Sequence, residues 1–339
     1  MLGMVGSLSG MVSISFSVMG VLISLVSLNL LGVWVGMELS FLSVVCFASG
    51  VNVEESESVM KYFIIQVLGS CICGMGFLML VNMFEVVLGQ VLILIGMLMK
   101  LGVFPFHFWV APVVSKLSWA GCGSILLLQK LIPLWVLSNY LLLSKDVSRI
   151  EFLCCVTSLV GSLGGLNVLN YRVLLGFSSI QNLGPMLLLC FCENFSLWIY
   201  VLVYFVLSGF FMLGLWQLSI FDFQDLLKDK SLDGLNDFWW ISLYLFSSAG
   251  LPPFLGCALK VTLLSSCWYL MPIGSGFCIL TSCVSLVFYL SMVLAVVVNW
   301  GKKLSFKKNE GGSKVSYLSV MSLMVNLVGG FVVFLILSL

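Results

Sequence analysis

A glutamate at 38 and lysines at 100, 130 and 260 stand inside long apolar runs of this sequence. An ionised side chain at the centre of a membrane helix costs roughly 2.5–3.5 kcal/mol even on a lenient insertion scale, so a folded chain pairs such groups or gives them water. A carboxylate and a lysine held together can gate a proton. Desolvation favours the neutral amine and a nearby carboxylate favours the charged one, so a small movement of the carboxylate switches the lysine between states. The expectation is therefore that Glu38 pairs with Lys100 and that protons pass through Lys130 towards Lys260 by way of ordered water. A plainer alternative is that these residues snorkel from span ends or form inert ion pairs between helices. That alternative suits Lys100, near Pro105, better than Glu38 or Lys130, which are central in their runs. His107 in PFHFWV (105–110) is the one histidine. With an unperturbed pKa of about 6.5 it can transfer protons, and it can equally be a hydrogen-bonded interfacial residue.

What positions these groups follows from composition. Of 339 residues, 61% are apolar and 9% charged, with a mean hydropathy of +1.19, which excludes a water-soluble surface. In lipid the backbone must satisfy itself inside helices or a closed barrel. Runs such as 8–28 and 315–339 carry no charge and are long enough to cross about 30 Å of hydrocarbon as helices, whereas barrel strands would be half as long and alternating. Charge clusters and Pro or Gly breaks divide the chain into spans near 8–28, 29–49, 58–82, 85–104, 119–143, 149–169, 171–192, 195–220, 238–270, 274–299 and 315–338. The reading is all-α, a polytopic membrane protein of about eleven crossings forming one transmembrane domain over 1–339. The first run lacks a basic flank and reads as a span, not a cleaved leader.

Two of these segments are irregular. The stretch 238–270 is too long for a plain span and carries Gly250, Pro252 and Pro253, so it is expected to break into two half-helices, with Lys260 just beyond the break. Unwound backbone at membrane depth is tolerated mainly where it lines a cavity, which favours a functional Lys260. The fourth span is expected to end at Pro105, leaving 105–116 at the interface or re-entrant.

Basic residues test the topology. With eleven crossings the N-terminal side receives Lys61, Lys116, Arg172, Lys228, Lys230, Lys302, Lys303, Lys307, Lys308 and Lys314, while the other side holds Lys145 and Arg149. That asymmetry places the N-terminus on the side from which insertion occurs. The acidic run Glu54, Glu55 and Glu57 and the stretch from Asp222 to Asp237 read as solvated loops, and Glu85 and Glu193, at span ends, receive no role. Spacings such as Gly32/Gly36 and Gly161/Gly165 are expected to let helices approach closely. The twelve cysteines lack zinc or iron–sulfur spacing, and neither GxGxxG nor a P-loop occurs, so any redox chemistry is assigned to partner subunits.

The motifs WVGMELS (34–40), KYFIIQ (61–66), MKLGVFPFHFWV (99–110), QKLIPL (129–134), GGLN (164–167), FSSIQNLG (177–184) and AGLPPFLGCALK (249–260) occur in order over most of the chain. In them the sequence resembles the antiporter-like membrane subunits of respiratory complex I, in the animal form of chain 2. The resemblance implies an antiporter-type fold with inverted repeats and two broken helices, and a proton-translocating role coupled to quinone reduction elsewhere in the complex. It also implies a mitochondrial inner-membrane location with the N-terminus on the matrix side. By motif position Glu38 corresponds to the family's glutamate, Lys100 to the lysine of the first broken helix, Lys130 to the central lysine and Lys260 to the lysine of the second broken helix. The relay role of His107 rests on this resemblance. No cofactor is expected on this chain; NADH, FMN, iron–sulfur clusters and ubiquinone are expected in partner subunits. The implied partners are other membrane-arm subunits in a hetero-oligomer and membrane lipids, with no nucleic acid.

Some positions depart from the family pattern. Asn182 and Pro185 stand where a histidine and a tryptophan are usual, Leu259 replaces a proline before the second lysine, and Pro112 stands where a glutamate often follows PFHFWVP. A cation/proton antiporter, free-standing or multi-subunit, would share intramembrane lysines and broken helices. A non-catalytic scaffold would need no intramembrane charges, and a quinone-binding subunit would leave little trace.

Overall fold

The computed structural model describes residues 8–50, 52–82, 85–141, 147–222, 235–252, 254–306 and 317–338. All extended regular structure among them is helical, and eight helical segments are long and apolar enough to cross a membrane. Large apolar side chains such as Met11, Phe16, Leu42 and Phe195 point outward, as a lipid-facing surface requires. The chain divides into two compact units, Met1–Thr157 and Ser158–Leu339.

In the first unit α1 (Leu8–Val26) and α2 (Leu30–Ala48) form one helical hairpin, and α3 (Val53–Val81) and α4 (Val86–Leu101) form another. Glycines set both seams. A Cβ on Gly20 would come within 2.6 Å of the Ser40 amide nitrogen, and one on Gly36 within 2.8 Å of the Gly20 carbonyl. Between α3 and α4, a Cβ on Gly96 would meet the Gly69 carbonyl at 2.8 Å, and one on Gly89 the Gly76 carbonyl at 3.2 Å. Seven-residue spacing on both helices keeps these glycines on one face, so the backbones touch and dispersion replaces the hydrophobic effect that lipid cannot supply.

The acidic run differs from expectation. Glu54 and Glu55 lie in the first turn of α3 and Glu57 just beyond, because carboxylates are favoured at a helix N-terminus. Glu57 accepts from Lys61 (2.7 Å) and Lys116 (3.2 Å), and Glu55 is buried.

The fourth helix stops before Pro105. Gly102 adopts φ 75°, and the amides of Gly102 and Val103 both turn back to the Leu98 carbonyl at 3.1 Å. A short 3-10 turn (Phe106–Trp109) and α5 (Val110–Val114) follow, so 105–116 is not a span of its own. Next, α6 (Trp119–Gly123) passes through a π-helical turn (Ser124–Leu128) into α7 (Gln129–Leu141), which contains Pro133.

The second unit begins within α8 (Val147–Gly164). Its Gly161 lies against the Gln181 backbone of α9 (Tyr171–Cys192), as the small-residue spacing anticipates. α9 is the most buried of the long apolar helices described in this unit. Asn170 caps it, Oδ1 accepting from the Arg172 amide at 2.9 Å. Against it pack α10 (Asn194–Gln217), α12 (Leu255–Cys267) and α13 (Pro272–Phe306), and the unit is completed by α11 (Leu235–Ser248) and α14 (Tyr317–Ser338). The break expected in 238–270 falls between Ser248 and Leu255. Gly250 adopts φ 74°, and the Leu251 amide folds back to the Phe246 carbonyl at 3.3 Å. Pro253 lies outside the described residues, as do Lys145, Lys228, Lys230, Lys307, Lys308 and Lys314 of the charge count. Beyond the break, Asn326 of α14 caps α12, its Oδ1 accepting from the Leu255 amide at 3.2 Å.

Candidate proton-relay sites

The first unit brings Glu38 and Lys100 together. Lys100 Nζ stands 3.5 Å from Glu38 Oε1, the lysine side chain 5% and the glutamate side chain 23% exposed. The glycine seam makes this possible: Lys100 Cγ lies only 3.1 Å from where a Cβ on Gly69 would be, so the lysine stem runs along α3 instead of outward. Lys100 therefore does not snorkel. Its position in the last turn of α4 also sets the cation at the negative end of the helix dipole.

Neutral amides hold the surrounding backbone. Gln66 Nε2 donates to the Lys100 carbonyl (3.2 Å), and Gln129 Nε2 donates to the Ser40 carbonyl (3.0 Å), two residues beyond Glu38. Trp109 Nε1 donates to the Met99 carbonyl at 3.3 Å and ties the 3-10 turn to the end of α4. A reading confined to charged residues passes over Gln66 and Gln129. An uncharged amide in an apolar run also carries a desolvation cost, and that signal was present in KYFIIQ and QKLIPL.

Lys130 is buried on α7, which is packed against α4. It follows the π-helical turn by two residues and precedes Pro133 by three, and Pro133 has no N–H to give the Gln129 carbonyl. The helix is thus loosened on both sides of the lysine, a frequent property of functional positions in helices. His107 lies in the 3-10 turn with its ring against Phe104 and Phe108, centroids 6.1 and 4.2 Å away. Its buried Nδ1 meets no hydrogen-bond partner among the described residues.

The second unit places Lys260 differently. Its Nζ donates to the Ala249 carbonyl at 2.9 Å, across the break and onto the end of α11, and no carboxylate among the described residues lies within ion-pair reach. Gly250 makes room, since a Cβ there would lie 2.5 Å from Lys260 Cε. Leu259, where the family has proline, leaves α12 continuous from Leu255 to Cys267. Lys260 also borders a cavity with Gln181, Asn182, Tyr200, Ser285 and Tyr289. Its volume is about 40 Å³, enough for about three or four waters at roughly 10–15 Å³ each.

Residues 27–288 match the family described as NADH:quinone oxidoreductase/Mrp antiporter, TM. The chain is 32% identical to NADH-ubiquinone oxidoreductase chain 2 of Anopheles gambiae, covering 93% of this chain and 94% of that protein. It is 29% identical to the Albinaria caerulea protein of the same name, over 94% and 96%. A chain in the structure of respiratory complex I from Thermus thermophilus with bound aureothin superposes with a TM-score of 0.81 at 21% identity, over 98% of this chain and 80% of that one. A chain of the Mrp complex from Dietzia sp. DQ12-45-1b superposes at 0.72 with 16% identity, over 95% and 74%.

Proposed function

Because the chain belongs to the NADH:quinone oxidoreductase/Mrp antiporter family of membrane subunits, with NADH-ubiquinone oxidoreductase chain 2 among its relatives, we propose that it moves protons through Glu38, Lys100, Lys130 and Lys260 within complex I. It is a multi-pass, proton-translocating membrane subunit of a hetero-oligomeric oxidoreductase, surrounded by other membrane-arm subunits. NADH, FMN, the iron–sulfur clusters and ubiquinone are handled by those partners, and the work of this chain is proton movement. Its location is the mitochondrial inner membrane with the N-terminus towards the matrix, a reading supported by the basic asymmetry.

One observation carries the relay reading: the buried Glu38–Lys100 contact at a helix break. Moving the carboxylate away lets desolvation drive a proton off the amine, and returning it draws one back. Lys130 continues the route from a loosened helix, and His107, with Nδ1 unspent, serves at the edge of the site. Proton counting in sealed vesicles tests this: a Glu38→Gln complex should oxidise NADH with fewer protons moved per turnover, and an unchanged ratio would remove Glu38 from the route. The fold shared with the Mrp complex keeps a cation/proton antiporter as the second reading. A native gel separates the two, since co-migration with NADH-oxidising activity in a large assembly belongs to the first and migration in a small antiporter complex to the second.

A further inference from the structure

We propose that Asn182 and Tyr200 hold the water molecule that takes the proton from Lys260. This rests on the reading of Lys260 as a relay residue. Asn182 and Lys260 line the same cavity, and the amide, which does not titrate, can position an acceptor beside the lysine without being one itself.

Tyr200 donates its hydroxyl proton to Asn182 Oδ1 at 2.9 Å, so the lone pairs of the Tyr200 oxygen remain to accept. Asn182 Nδ2 gives one proton to the Ser178 carbonyl at 2.8 Å and keeps a second. Among the described residues, Lys260 spends one of three N–H groups on Ala249 and keeps two. All three side chains line the same cavity. An acceptor and a donor are therefore fixed beside each other because the two residues that own them are bonded together. A water there donates to Tyr200, accepts from Asn182 or Lys260, and has a second proton to pass on.

Neighbouring groups fix the frame. Gln181 Nε2 reaches Ser285 Oγ at 3.0 Å and the Thr281 carbonyl at 3.5 Å, and Tyr289 lines the same cavity. Pro185 supplies no N–H to the Gln181 carbonyl, which leaves one further acceptor on the same stretch of α9. In the transfer, an N–H bond of Lys260 breaks as an O–H bond to the held water forms. One of that water's own O–H bonds breaks in turn and its proton passes to the next water. The amine ends neutral and the held water ends as water.

The test uses intact complex I in sealed vesicles, reading protons moved per NADH oxidised, NADH oxidation with a protonophore, and assembly on a native gel. Asn182→Leu should lower the proton ratio by the share that passes through Lys260, to the value that Lys260→Met gives, while protonophore-treated oxidation and assembly hold, because a positioned proton acceptor is removed. Tyr200→Phe removes the acceptor oxygen with almost no change of shape and should lower the ratio less, because Asn182 Oδ1 is freed to take the water. Asn182→His should restore the ratio and add an acid limb centred at about pH 6.5, where the imidazole charges and stops accepting. If Asn182→Leu and Tyr200→Phe both pump fully while Lys260→Met does not, the water site is wrong and the relay stands. Full pumping by Lys260→Met overturns both.

Discussion

Lys100 and Lys260 flank helix breaks built by the same device, yet their charges are compensated in opposite ways. At each break a glycine takes a positive φ, 75° at Gly102 and 74° at Gly250, and the next amides fold back onto the helix just ended. Lys100 sits in the last turn before its break and meets a carboxylate from another helix. Lys260 sits in the second turn after its break and meets the carbonyl end of the preceding half-helix. A carboxylate can be moved by its helix, so the first lysine can be switched from outside. A backbone carbonyl holds position and carries no titratable charge, so on the proposed relay the proton on the second lysine answers to whatever water enters its cavity. On the proposed relay, one site is gated by a partner and the other by solvent.

The largest effect should come from breaking the first compensation. Glu38→Gln leaves a lysine 6% exposed without its counter-charge. Losing one member of a buried pair costs about 3–5 kcal/mol, and the partial exposure of Glu38 puts this case at the low end. The prediction is loss of pumping together with a lower dissociation temperature for the assembly. Glu38→Gln with Lys100→Met removes both charges and should recover the temperature but not the pumping, because an uncharged pair is cheap to bury and cannot carry a proton. Recovery of pumping in the double variant would break the comparison. Next in size is Lys260→Met, which removes the hydrogen bond to Ala249. A charge-assisted bond contributes about 1.5–3 kcal/mol, and its loss here is offset by the cost of burying the amine. The expected outcome is strong loss of pumping with an almost unchanged dissociation temperature, the reverse balance from Glu38→Gln.

Much of this contrast was legible in the sequence, and the part that was not has a physical reason. Charge in an apolar run is conspicuous because hydrocarbon makes it expensive, so Glu38, Lys100, Lys130 and Lys260 stood out before any coordinates. The break at 249–254 was equally visible, since Gly250 and Pro252 are incompatible with a continuous span. What a lysine meets was harder to read. The pairing of Glu38 with Lys100 was an inference from charge, but the bond from Lys260 to the Ala249 carbonyl uses an atom every residue has, and no residue type announces it. The π-helical turn before Lys130 left no compositional mark either. Gln66, Gln129 and Asn182 did leave one, as polar residues in apolar surroundings, but their partners are backbone or neutral groups found only after folding.

Smaller changes sharpen the comparison. Gly250→Ala puts a methyl group 2.5 Å from Lys260 Cε and an L-residue at φ 74°. The left-handed region costs a non-glycine residue about 1–2 kcal/mol, and the clash displaces the amine from the Ala249 carbonyl. Partial loss of pumping is expected, several-fold and less than for Lys260→Met, measured as protons per NADH. The corresponding change at Gly102 would meet Val110 and Trp109 and leave the Lys100 ammonium alone. It should lower stability by a similar amount and spare the pumping ratio.

The smallest effect should come from Asn326→Leu at the start of α12. The Asn326 Oδ1 caps the Leu255 amide, and removing such a cap costs about 1 kcal/mol. The Nδ2 of the same side chain is buried with no partner among the described residues, and an unsatisfied buried donor costs about 1–3 kcal/mol. Leucine removes both contributions, so the dissociation temperature should stay nearly constant while the first turn of α12 frays. Lys260 lies beyond that turn and holds the Ala249 carbonyl independently, so the proton ratio should also stay near its original value. A large fall in the ratio would mean that the cap, and not the lysine's own bond across the break, sets the position of the amine. That result would make the second site depend on a neighbouring helix in the way the first depends on Glu38.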